Sequence, residues 1–196
     1  MTIRRRKATN SSDIRHQLLF DYIFELRFAS WTKLQSSVAR HILDGWALNG
    51  LTYIRSGLPV SIRTGGDIGN TLFTQRPNLA PGVPTRLSGR SWNQGVYNGA
   101  AYAIPTVREP GTGYLKGNLG RATERGPDFV NFDLSAVKNF KVRESQRLQF
   151  RFEFFNLFNH VNFGQPGGTL ALGPAFGRST SAFPARQIQL GGRYTF

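Results

Sequence analysis

Apolar and polar residues alternate along much of the chain. Between His16 and Phe28 the even positions carry His16, Leu18, Phe20, Tyr22, Phe24, Leu26 and Phe28, and the odd positions Gln17, Leu19, Asp21, Ile23, Glu25 and Arg27. A helix would place Asp21 and Glu25 on the face of Leu18, whereas a strand keeps the aromatic residues together. Trp46, Leu48, Gly50, Thr52 and Ile54 repeat the pattern against Asn49, Tyr53 and Arg55. Val130, Phe132, Leu134 and Ala136 alternate with Asn131, Asp133 and Ser135, and Leu148, Phe150, Phe152 and Phe154 with Gln149, Arg151 and Glu153. The last repeat sets Ile188, Leu190, Gly192, Tyr194 and Phe196 against Gln187, Gln189, Gly191, Arg193 and Thr195. These segments predict five strands. Val60 to Arg63 predicts a short sixth, after Ser56-Gly57-Leu58-Pro59, where Pro59 has no N–H for a ladder.

The connections differ greatly in length. Lys141 to Ser145 separates two strands at hairpin distance, while Gly65 to Pro127 and Phe163 to Pro184 read as long irregular stretches rich in Gly and Pro. The segment Trp31 to Leu43 reads either as a short amphipathic helix or as another loop. A structureless connection of about 60 residues is foreign to a compact soluble domain. It is ordinary in an outer-membrane barrel, where one rim has short turns and the other long loops. No apolar run approaches the roughly 18–20 residues of a membrane-spanning helix. The final strand reaches the terminus on an aromatic residue, Phe196, where a fraying tail would be polar. The expected fold is all-β: antiparallel up-and-down strands forming part of an outer-membrane β-barrel, with long irregular loops and an open or curled sheet.

Composition narrows the chemistry. The 196 residues hold 25 Lys+Arg against 11 Asp+Glu, a formal charge of +14, with 16 Phe and no Cys. Without cysteine there is no disulfide framework, thiolate metal site or thiol nucleophile. His16, His41 and His160 fall in no ligand spacing, and no Gly-x-Ser-x-Gly elbow occurs. Gly111 to Gly117 lacks the Gly-Lys-Ser/Thr of a phosphate loop. We therefore expect no enzyme activity, metal or cofactor. Met1 to Lys7 is basic, but no apolar stretch follows it, so it does not read as a secretory signal. Residues 1–12 are expected to be a disordered basic N-terminus, and residues 13–196 one β-domain. The arginines are spread along the chain, which suits pairing with carboxylates inside a barrel and with lipopolysaccharide phosphates outside it.

Several ordered motifs carry a family resemblance. They are Gly117-Asn118-Leu119-Gly120-Arg121, Arg125-Gly126-Pro127, Asn131-Phe132-Asp133-Leu134-Ser135, Lys138-Asn139-Phe140, and the run from Leu148 through Phe154-Phe155-Asn156-Leu157-Phe158-Asn159-His160 to Asn162-Phe163-Gly164. Upstream, Gly45-Trp46, Ser56-Gly57-Leu58-Pro59, Gln75-Arg76-Pro77-Asn78 and Tyr97-Asn98 to Pro105 fall in the same order. The series resembles the C-terminal barrel region of TonB-dependent outer-membrane transporters, most closely the Oar-like group of acidobacterial type. Such transporters are several times longer and carry a signal peptide and a plug, so the resemblance implies a C-terminal barrel fragment, part of an uptake pore and not competent alone.

The resemblance assigns roles to residues. Phe20, Tyr22, Phe24, Phe132, Leu134, Phe150, Phe152 and Phe154 would face outer-membrane lipid, with Arg151 and Glu153 facing the lumen. Ile188, Leu190, Tyr194 and Phe196 resemble the C-terminal signal that engages the barrel-assembly machinery. The full-length protein would also meet the energy-transducing inner-membrane complex and a small-molecule or oligomeric substrate. The expected location is the Gram-negative outer membrane, given export. The alternative is a soluble basic β-protein binding single-stranded nucleic acid through Arg147, Arg151 and the Arg4-Arg5-Arg6-Lys7 cluster beside an aromatic platform.

Overall fold

The structure, a computed structural model, describes residues 10, 12–27, 36–66, 75–108, 110–111 and 113–196. Its elements in chain order are β1 (Gln17–Leu26), α1 (Ser37–Leu43), β2 (Trp46–Arg55), β3 (Pro59–Val60), β4 (Asn78–Leu79), β5 (Tyr102–Ala103), β6 (Glu124–Arg125), β7 (Phe129–Lys141), β8 (Arg147–Phe155) and β9 (Gln187–Thr195). The basic cluster Arg4 to Lys7, the strand end at Phe28 and residues 31–35 of the ambiguous helical segment lie outside the described residues. Ser37 to Leu43 of that segment form the helix α1.

The chain divides into two compact units. One holds a five-stranded sheet in the order β1-β2-β7-β8-β9, with β1 and β9 at its edges. β7 pairs antiparallel with β8, from Leu134 opposite Phe154 to Lys141 opposite Arg147. β8 pairs antiparallel with β9, from Arg147 opposite Thr195 to Phe155 opposite Gln187. At the start of β2, Asn139 N donates to Gly45 O, and just before β1 and after β2, Ser56 N donates to His16 O. Each strand therefore runs against its neighbours, and the edge strands β1 and β9 run in the same direction. The long connections after β2 and β8 leave from one end of the sheet. The tight turn after β7 lies at the other, with Val142 N donating to Gln146 O.

β7 is longer than periodicity predicts, reaching Lys141 rather than ending near Ala136. Lys138 and Asn139 interrupt the apolar pattern, but the backbone ladder continues regardless of side-chain polarity. The strands of this sheet, from 9 to 13 residues, are of the length a tilted transmembrane strand needs.

The second unit is built from residues that the sequence reads as irregular loop and a sixth strand. The sixth strand is corrected: the strand covers Pro59 and Val60, which pair with Arg125 and Glu124 in a separate two-stranded ladder, and Arg63 makes a single bridge to Thr169. Pro59 opens that strand, where a missing N–H is tolerated. A second short ladder pairs Asn78 with Ala103 and Leu79 with Tyr102. The long connections are irregular as expected, yet they pack: Val60, Ile62, Tyr97, Ala101, Tyr102, Leu119 and Phe176 form a buried core. Such side chains contribute about 1.5–3 kcal/mol each when fully buried. They lie too far apart in sequence to show a period.

Polar groups complete that core. Glu124 is buried; its carboxylate accepts from the Tyr102 hydroxyl at 3.0 Å and from Arg86 Nε at 3.4 Å. Arg125 Nη1 donates to Asp13 O at 2.7 Å, and its Nη2 pairs with the Asp13 carboxylate. The resemblance motifs meet here as packing devices. Asn78 Oδ1 accepts from Asn118 N and Asn118 Oδ1 from Leu79 N, each at 2.9 Å.

Burial pushes the Tyr102 hydroxyl above its ordinary value of 10.0, and the Glu124 carboxylate adds to the shift. Burial likewise raises Tyr97. A raised folded-state value stabilises the unit fully below pH 10 and loses that stabilisation as the unfolded tyrosines ionise above it. Alkaline titration followed by tyrosinate absorbance should show these two ionising late, together with loss of the unit's structure. Independent ionisation of both at ordinary pH would contradict that coupling.

Candidate functional site: the two faces of the sheet

The β7–β8–β9 register sorts side chains by face. Leu134, Ala136, Lys138 and Phe140 stand opposite Phe154, Phe152, Phe150 and Leu148. Those four stand in turn opposite Ile188, Leu190, Gly192 and Tyr194. Successive side chains of a strand point to opposite sides, so these residues occupy one face. Trp46 stacks on Phe152 with ring centroids 6.3 Å apart, which brings β2 onto that face. Tyr22 covers Gly50, which brings in β1, and Phe20 and Phe24 flank Tyr22 at 5.7 Å on either side. Phe132 meets Phe158 edge-on at 5.1 Å.

The eight residues read as lipid-facing therefore share one face: Phe20, Tyr22, Phe24, Phe132, Leu134, Phe150, Phe152 and Phe154. Ile188, Leu190 and Tyr194 join them on β9, and Phe196 follows the strand end. These four are exposed, Leu190 by 74% and Phe196 by 90%. In a soluble globule a continuous apolar face of this extent would be covered.

One feature of this face escapes periodicity. A Cβ on Gly50 would lie 2.0 Å from Tyr22 Cζ, so the ring occupies the space a side chain would need. Gly192 differs, because a Cβ there would stand 3.9 Å from the Phe150 ring in ordinary contact. Gly50→Val should thus destabilise the sheet by about 1–3 kcal/mol through overpacking, while Gly192→Val stays near neutral. Urea midpoints in detergent check this; equal effects would contradict the assigned packing.

The opposite face is mixed rather than uniformly polar. Asp21, Asn49, Asp133, Ser135 and Glu153 line an open cavity of about 350 Å³ there, together with Ile23, Leu51 and Phe155. Asp133 Oδ1 accepts from Asn131 Nδ2 and from Asn156 N, both at 2.9 Å. Asn156 has φ +52°, a left-handed conformation that asparagine tolerates, and its amide brackets the turn by donating to His160 O and accepting from His160 N. The Asn-Leu-Phe-Asn-His motif thus folds a turn. Farther along the same face Arg151 Nε donates to Gln149 Oε1 at 3.0 Å, and Gln149 Nε2 to Asn139 Oδ1 at 2.8 Å.

Arg147 and Arg151 lie on this face, opposite Phe150, Phe152 and Phe154. That face also carries aromatic rings: Phe155 lies on it, and the Arg55 guanidinium sits over the Phe129 ring at 5.3 Å to its centroid.

Lys138 is the exception on the apolar face, and its place in the sequence suggests no role for it. It is 2% exposed. Its Nζ donates to His41 O at 3.0 Å and to Asp44 O, and stands 4.6 Å from the Phe140 ring centroid. A strand lysine alternating with aromatics carries no sequence signal of a partner; the helix that meets it is remote in sequence.

A family model described as an outer membrane beta barrel domain matches residues 2–189. No curated protein and no solved structure matches the chain. With the antiparallel all-β sheet, its strand lengths and its two unlike faces already described, the family match over most of the sequence places the chain in the outer membrane β-barrel domain family.

Proposed function

We propose that this chain is the C-terminal part of the barrel wall of a TonB-dependent, Oar-like outer-membrane transporter, and that it does not transport alone. The observation that carries the proposal is the two-faced sheet whose long connections leave one end while its tight turn lies at the other. In this reading Phe20, Tyr22, Phe24, Phe132, Leu134, Phe150, Phe152 and Phe154 meet lipid, and Asp133, Arg151 and Glu153 face the lumen. Ile188, Leu190, Tyr194 and Phe196 form the strand read by the assembly machinery, pairing by edge addition. Outer loops meet lipopolysaccharide. The energised inner-membrane complex and the substrate engage only the full-length protein. The chain acts as structural wall, without enzymatic chemistry.

Strand direction supports incompleteness. β1 and β9 run the same way, so pairing one with the other would make a parallel seam. Antiparallel closure takes an odd number of further strands, giving the even total typical of bacterial barrels. Unpaired edge groups in lipid cost several kcal/mol each.

Expression behind an export signal, outer-membrane fractionation and gel electrophoresis with and without heating test the proposal. Membrane association without a heat-modifiable monomer is expected. A stable, closed, monomeric barrel would overturn it. Sequencing upstream of Met1 tests the transporter assignment, where an in-frame extension encoding a plug is expected and its absence counts against it.

A further inference from the structure

The apolar face carries a helix. α1 is joined to it through its C-terminal carbonyls: Lys138 Nζ donates to His41 O and Asp44 O, and Trp46 Nε1 donates to Ile42 O at 3.2 Å. The His41 ring lies 6.1 Å from that of Phe140. The last carbonyls of a helix have no intrahelical donors and carry its negative dipole end, so an ammonium and an indole N–H suit them. The one cation placed on this face by the β7–β8 register is thereby turned inward and bound to the helix.

The rest of α1 looks away from that attachment. Val38 is 68% exposed and Ile42 58%, one helical turn apart on one side. Leu43 is exposed beside them. In water this apolar stripe has no reason to point outward. The face beneath it is continuous with the aromatic residues Phe140, Phe150 and Phe152. The helix lies at the strand ends opposite the long connections, between the end of β1 and the start of β2.

We propose that α1 is an in-plane membrane helix, seated on the outside of the sheet at its short-turn rim and dipping Val38 and Ile42 into the phospholipid leaflet there. Its occupant is lipid at the headgroup–acyl boundary, the depth at which such helices and tryptophans settle. Lys138 is the positioning residue that fastens the helix to the wall. This rests on the sheet's apolar face meeting lipid, as proposed above, and adds a second element to the lipid contact.

The absence of cysteine makes the test clean. Single-cysteine variants Val38→Cys, Ile42→Cys and Phe152→Cys of the full chain are labelled with an environment-sensitive fluorophore. They are refolded into phosphatidylethanolamine/phosphatidylglycerol vesicles carrying spin-labelled lipids with the quencher either shallow or deep. Labels at Val38 and Ile42 should lose most of their emission to the shallow quencher, and the label at Phe152 to the deep one. In a Lys138→Met background the loss at Ile42 should disappear while that at Phe152 stays. If the Val38 and Ile42 labels answer only to aqueous iodide while Phe152 is quenched by lipid, the helix inference fails and the sheet reading stands. If Phe152 too is unquenched, both fail. Unchanged quenching of Ile42 in Lys138→Met would remove Lys138 from its role.

Discussion

Phe152→Arg is expected to abolish stable membrane association. Phe152 sits mid-strand in β8, on the apolar face between Ala136 and Leu190. A guanidinium at the bilayer midplane of a β-barrel costs about 2–4 kcal/mol. The stacking on Trp46 would be lost as well. On the other face Glu153 stands opposite Gln189, so Gln189→Arg there should change little. Outer-membrane flotation of the exported chain measures both. Equal tolerance at Phe152 and Gln189 would mean that the faces do not see different solvents.

Gly57→Val should collapse the loop unit while leaving the sheet intact. A Cβ at Gly57 would lie 2.0 Å from Gly126 O, a backbone atom that cannot step aside. Gly126 N is itself bonded to Leu58 O at 2.9 Å, and Gly57 N to Asp128 Oδ1 at 2.7 Å, so a shift breaks the β3–β6 ladder. Overpacking of movable side chains costs about 1–3 kcal/mol, and a backbone obstacle puts this site at or above the upper end. Limited proteolysis within residues 75–108 should become fast, with β-sheet circular dichroism of the membrane part retained. Unchanged protease resistance would show that the close approach is not required. Because Gly57 and Gly126 both belong to motifs behind the family resemblance, this variant also tests whether those motifs serve packing.

The sheet was legible because a strand's side-chain period is two, so the spacing of Phe150, Phe152 and Phe154 is enough to assign them a common face. The β7–β8 hairpin and its turn after Lys141 were legible from their spacing; the full length of β7 was not, because Lys138 and Asn139 masked its continuation. The second unit was not legible. Its core joins Ile62, Tyr97, Leu119 and Phe176, which no local period links, and its strands are two residues long. The attachment of α1 was equally hidden, since it depends on a lysine and a helix that meet only in the fold.

The most direct measurement follows the alternation along β8. Single cysteines at positions 149 to 154, in the exported chain within intact outer membranes, are challenged with a water-soluble maleimide. Positions 149, 151 and 153 should label readily, and positions 150, 152 and 154 should stay protected until detergent is added. Uniform labelling, or protection of the odd positions instead, would contradict a sheet with one side in lipid and the other in water.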